Sequence, residues 1–338
     1  MTDDPNARLT LRWAGFAFAV SVSLTVLKFI AWHITGSTAV LSDALESIIN
    51  IVTSGFGFYS VWLSNKPRDA DHPYGHGKIE YFSAGLEGAL ILFAAIAIVI
   101  VSLPSLWAPR ELDALGAGAI LMSVVTALTL AGGTAVMMAG KRLGSPTLHA
   151  DGEHLRSDAI TSVAVLVGVL AVMLTGIRIL DTLCALGVAG WLAYTGLGIL
   201  RRAFAGLMDE ADPQVLGEVA HVLESMRAPG WIAPHHVKIH HLGRHRHVDM
   251  HMVFPRWWSL ERTHEATVQM ERVFREKFGS RTELMVHMEG CTPVSCSYCD
   301  VDECPVRQAL FVRRLTWTAE QIQTAARPQP IEPVPPDA

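Results

Sequence analysis

Six apolar stretches, at roughly 13–35, 38–63, 81–107, 114–140, 147–175 and 179–200, occupy the first two thirds of this 338-residue chain. Each is long enough to cross a bilayer as a helix, which takes about 20 residues at about 1.5 Å each. The first is too long, and lacks the small-residue cleavage pattern, for a removable signal peptide. Composition agrees with a membrane protein: half the residues are hydrophobic, mean hydropathy is +0.31, and 17% are charged, against roughly a quarter in soluble domains. A net charge of −5 offers no basic surplus for nucleic acid.

Arg8, Arg12, Lys66, Arg68, Lys78, Lys141, Arg142, Arg201 and Arg202 fall on one side of the spans, with little beyond Arg110 and Arg178 on the other. The excess marks the cytoplasmic side and predicts both termini there. After Asp209 the period changes, predicting an α-β-β-α-β order suited to a small two-layer α+β domain. The expected organisation is a cytoplasmic segment at 1–12, a six-helix all-α transmembrane domain at 13–207 and a cytoplasmic metal-binding domain at 208–290. A cysteine-rich extension at 291–305 and a tail at 306–338 follow. Ala325 to Ala338, with five prolines, is expected to be disordered.

Ionisable groups inside a span are costly and usually face a bundle interior or a pathway. The second span carries Asp43, Glu46 and Asn50, and the fifth carries His154 and Asp158. Glu46/Asn50 and His154/Asp158 are both i, i+4 pairs, so each puts two ligand-capable groups on one helix face. Glu46 lies about 13 Å below the start of its span and Asp158 about 16 Å above the start of its own, so the four meet near mid-membrane. Carboxylates, an amide oxygen and an imidazole make a four-coordinate site for a divalent first-row metal. The competing reading is a polar brace between helices. Lys28, Glu87 and Asp181 read as structural, Lys28 by snorkelling.

Outside the spans, ligand residues crowd together. Asp69, His72 and His76 lie within eight residues, a set that suits a zinc-like ion. Ten of the fifteen histidines lie beyond residue 220, seven of them between 235 and 251. In the strand from His247, alternation places His247, Asp249 and His251 outward and Val248, Met250, Met252 and Phe254 on the core face. Cys291, Cys296, Cys299 and Cys304 fall within fourteen residues. A reducing cytosol disfavours a disulfide framework. One tetrahedral zinc is expected, with an iron–sulfur cluster or free thiols as alternatives.

The motifs "TGSTAVLSDALESIINIVTS", "DADHPYGHGKIE" and "HLRSD" resemble those of the cation diffusion facilitator family of divalent-metal transporters. The resemblance covers roughly residues 10–290. It implies a homodimer that exports metal from the cytoplasm in exchange for protons, with a ferredoxin-like cytoplasmic domain. The family's transport site falls on Glu46, Asn50, His154 and Asp158, and its loop site on Asp69, His72 and His76. Its cytoplasmic cluster falls on His235, His251, His264, His287 and Glu289. The family's second span usually reads Asp-x-x-x-Asp or His-x-x-x-Asp, whereas here it reads Glu-x-x-x-Asn. Asn50 cannot carry a proton, so metal identity and proton stoichiometry are the properties this departure affects.

The resulting expectation is a proton-coupled, alternating-access exporter in a bacterial inner membrane. It is not an enzyme, and zinc is the default cargo beside iron(II), manganese, cobalt and nickel. Zinc or a similar ion would also act as a structural or regulatory ligand. The alternative is a membrane-anchored metal sensor or storage protein with a disabled pathway. A diiron membrane oxidase is excluded because the dense histidines lie outside the spans.

Overall fold

A computed structural model describes residues 5–35, 38–106, 116–175, 177, 179–242, 245–279 and 282–332. Two compact units divide between Met208 and Asp209.

The first unit contains six long helices: α1 (Pro5–Thr35), α2 (Thr38–Ser64), α3 (Ile79–Ser102), α4 (Gly116–Leu143), α5 (Pro146–Thr175) and α6 (Ile179–Leu207). Among the described residues, Asn6–Ile30, Ile79–Ile100 and Ser123–Leu143 are long and apolar enough to cross a membrane. The side chains of much of α2, α5 and α6 lie outside the described residues, those of Asp43, Glu46, Asp181 and Cys184 included. Packing pairs α1 with α2, α3 with α6, and α4 with α5.

The α4–α5 pair is close because it is built on glycine. A Cβ at Gly152 would overlap the backbone nitrogen of Met137, and one at Gly140 that of His149. Small residues at helix contacts bring backbones together where lipid supplies no hydrophobic drive. Polar groups line the same interior. Lys28 is buried and donates to Ser47 Oγ at 2.8 Å, so it points inward and does not snorkel. Glu80, fully buried, accepts from Ser64 at 2.7 Å and from Ser145.

The second unit runs α7 (Pro213–Ser225), β1 (Ala233–Leu242), β2 (His245–Phe254), α8 (Leu260–Phe278), β3 (Thr282–Gly290) and α9 (Ala319–Gln323), the α-β-β-α-β order expected. Asp212 caps α7 with Pro213 at its first turn, and Ser259 caps α8, each satisfying a free N–H at a helix start. β1 and β2 form an antiparallel hairpin, and α8 returns the chain so that β3 lies parallel to β2. Val248, Met250, Met252 and Phe254 enter the core with Leu223, Met270 and Phe274, as alternation requires. The register of β1 shifts between His235 and Lys238, where His236 adopts φ 55°.

The extension beyond β3 packs onto this unit. Trp317 and Ile322 enter the main core, while Tyr298, Cys299 and Ile331 cover Ile232, Ala233 and Val253. The proline-rich segment expected to be disordered therefore makes specific contacts over residues 325–332. Tyr298 Oη donates to the Pro328 carbonyl at 3.2 Å, and Ile331 N donates to Ser297 Oγ at 2.9 Å. Burial of Tyr298 and Ile331 offsets the ordering cost that proline content alone suggested would dominate. Residues 333–338 lie outside the described residues.

Candidate metal sites

Inside the helical unit, α2 and α5 bring together three of the four expected transport residues. His154 Nε2 is 3.0 Å from Asn50 Oδ1, Asn50 Nδ2 donates to Asp158 Oδ2 at 2.5 Å, and His154 Nε2 lies 3.7 Å from Asp158 Oδ1. Asn50 and His154 are buried. Glu46 stands one turn before Asn50 on α2, with its side chain outside the described residues. The Asn50 amide oxygen, the His154 imidazole nitrogen and the Asp158 carboxylate thus converge within reach of a common ion.

Two neighbours extend this cluster. Asp151 is buried three residues before His154 and accepts from Ser54 Oγ at 2.8 Å; Ser54 in turn contacts Ser21 at 2.9 Å. Glu87 on α3, also buried, lies beside Asp151 without either carboxylate oxygen meeting hydrogen-bond geometry. Asp151 had a sequence signal: it precedes His154 by three and Asp158 by seven, hence shares their helix face. Glu87, read as structural from its position alone, needed α3 to be placed against α5.

Between α2 and α3, Asp69, His72 and His76 gather with ligand atoms within 4.8 Å of one another. Asp69 accepts from His72 N at 2.7 Å, its Oδ1 lies 3.0 Å from His72 Nδ1, and its Oδ2 lies 3.3 Å from His76 Nε2. The His72 hydrogen bond holds the exposed Asp69 carboxyl below its ordinary range. His76 Nδ1 is buried without a hydrogen-bond partner among the described residues.

In the second unit, sheet register aligns His235 with His251 and His251 with His287 across three strands. His235, His251 and Glu289 present ligand atoms within 4.8 Å of one another. His251 Nδ1 is 2.8 Å from Glu289 Oε1, and the His287 ring lies 4.6 Å from that of His251. His264 is exposed on α8 and is not drawn into this group. Burial pushes the His235 pKa down, which keeps its ring neutral and able to ligate. At Glu289 burial acts upward, but the His251 hydrogen bond and the Arg327 charge outweigh it and hold the carboxyl below its ordinary range. Arg327, at 2.6 Å from Glu289, comes from the C-terminal extension. No local sequence pattern links residues so far apart, so its role was not legible beforehand.

Cys291, Cys296, Cys299 and Cys304 line one cavity together with Arg256 and Arg307. All four are free thiols. Cys291 Sγ accepts from Arg256 N at 3.4 Å and Cys296 Sγ from Gln308 N at 3.5 Å. Arg307 clasps the carbonyls of Cys296, Cys299 and Val301. No three of the thiols come within 4.8 Å of one another, and burial pushes the Cys299 thiol up.

The fold and these clusters define a membrane metal transporter with a cytoplasmic domain. Residues 15–208 match the cation efflux transmembrane domain, and residues 211–291 match the cation efflux protein cytoplasmic domain. The chain is 36% identical over 286 residues to an uncharacterized transporter of Synechocystis, covering 84% of this chain and 91% of that protein. It is 26% identical over 295 residues to the cation-efflux pump FieF of Yersinia pestis, covering 86% and 96%. The magnetosome protein MamB of Magnetospirillum gryphiswaldense is 35% identical over 201 residues, covering 58% and 66%. The chain belongs to the cation efflux family, also called the cation diffusion facilitators, and is an integral membrane transporter of divalent cations, not an enzyme.

Proposed function

We propose that this protein exports zinc, or a similar first-row divalent ion, from the bacterial cytoplasm by proton antiport, working as a homodimer in the inner membrane with both termini cytoplasmic. The observation that carries this reading is the convergence of Asn50, His154 and Asp158 at one buried point of the bundle. Metal ligands bind only when deprotonated, so protons and metal compete at the same atoms. Asn50 contributes oxygen without a titrating group. Asp151 and Glu87, one step away, supply the buried carboxyl groups that Asn50 lacks. The loop set Asp69/His72/His76 and the sheet cluster around His235, His251, Glu289 and His287 would hold the same class of ion and report its cytoplasmic level.

In proteoliposomes, an imposed pH gradient drives zinc uptake into vesicles holding the inverted protein, and competing iron(II), manganese, cobalt and nickel rank the cargo. Flux indifferent to the gradient removes the antiport reading. A membrane-anchored sensor with no pathway predicts no flux with any of the five ions.

The cysteine array is read as a separate structural or regulatory zinc site. The shared cavity lined by all four thiols and the two N–H donors aimed at sulfur support this, and the thiols must draw closer than they stand to share one ion. Changing all four to serine is expected to lower bound zinc by one ion per chain in metal analysis. Equal zinc in both proteins leaves the thiols free.

A further inference from the structure

The sheet carries a second row of ligand-bearing residues beside the first. Register sets His240 opposite His247, and His247 opposite Glu283, just as it aligns His235, His251 and His287. Asp249, two residues after His247, lies on the same outward face.

The side-chain contacts in this row are informative. His240 Nδ1 lies 3.1 Å from Asp209 Oδ2, and His247 Nδ1 lies 3.3 Å from Glu283 Oε2. A carboxylate behind Nδ1 is the contact that orients a metal-ligating histidine whose Nε2 turns to an ion. Both Nε2 atoms then face one carboxylate: His247 Nε2 is 3.1 Å from Asp249 Oδ1, and His240 Nε2 is 3.6 Å from Asp249 Oδ2. The three ligand atoms do not all lie within 4.8 Å of one another, so the His240 and Asp249 side chains must close on an ion to share it. The ring centroids are 6.4 Å apart, and His240 and Asp249 remain open to solvent at 42% and 39%.

We propose that His240, His247 and Asp249 form a divalent-metal site separate from the His235 cluster, selective for zinc-class ions. Two imidazole nitrogens and one carboxylate oxygen leave a fourth position for water, the usual composition of an open zinc site. Asp209 and Glu283 act as positioning residues that orient the rings from behind. Asp209 is the first residue of the second unit, and its other oxygen accepts from His241 N at 3.1 Å. Metal bound to His240 is therefore one hydrogen bond away from the residue at which the chain leaves the helical unit.

Full-length protein in detergent, stripped by a chelator and dialysed against buffered free zinc, tests the assignment by metal count and by the absorption spectrum of the cobalt(II) form. The paired variant His240→Gln, His247→Gln is expected to hold one ion fewer per chain and to lose the matching cobalt band. Glu283→Gln should keep the count and weaken that ion's binding by roughly tenfold. An unchanged count and spectrum in the paired variant overturns the site. If that variant is not recovered folded, the isosteric Asp249→Asn decides: unchanged cobalt affinity overturns the proposal, and weakened affinity supports it. Binding is read without transport, so this result stands apart from the fate of the antiport reading.

Discussion

Asp158→Ala and Glu46→Ala each reduce metal flux in proteoliposomes to the level of protein-free vesicles. The expected loss exceeds about 100-fold, since even an outer-shell partner of a metal ligand is worth about 10–100-fold. Asp158 joins both helices of the site, accepting from Asn50 on α2 and standing one turn beyond His154 on α5. Its removal leaves an imidazole, an amide and at most the one carboxylate of Glu46, which cannot fully neutralise a divalent charge inside a bundle. Flux surviving both substitutions would place the pathway elsewhere.

Gly152→Val has the second largest expected effect, through packing. The added atoms would meet the backbone of Met137 at the α4–α5 contact. No rotamer change relieves a clash with backbone, so the cost lies at or above the upper end of the about 1–3 kcal/mol typical of an overfilled core. Because Gly152 lies two residues before His154, parting α4 from α5 also displaces the ligand. A drop in melting temperature together with lost flux is expected. Wild-type stability in this variant would show that α4 and α5 do not approach as closely as described.

Much of this architecture was written in local patterns. Length and apolarity marked the helices, and alternation in β2 placed Val248, Met250, Met252 and Phe254 inward and His247, Asp249 and His251 outward, as the structure has them. Helical period and opposed helix directions set Asn50 level with His154 and Asp158 level with Glu46; the contact between Asn50 and Asp158 was not part of that reading. Non-local features were less accessible. Glu87 becomes a neighbour of Asp151 only when α3 is set beside α5, and Arg327 reaches Glu289 only because the extension folds back along the sheet. Composition also misled over residues 325–332, where proline content outweighed the anchoring contacts of Arg327, Pro328 and Ile331 in the sequence reading.

The irregularity in β1 has a bearing on how such a domain acquires capacity for ions. His235 and His240 are an odd number of residues apart, so an unbroken strand would turn them to opposite faces of the sheet. The extra residue at the His236 bulge restores the phase and brings both to the same face of the sheet, beside His251 and His247. A single-residue deletion there would break that alignment even with every histidine, aspartate and glutamate retained. Which ligand-capable side chains share one face of this sheet is thus a matter of strand phase as much as of residue content.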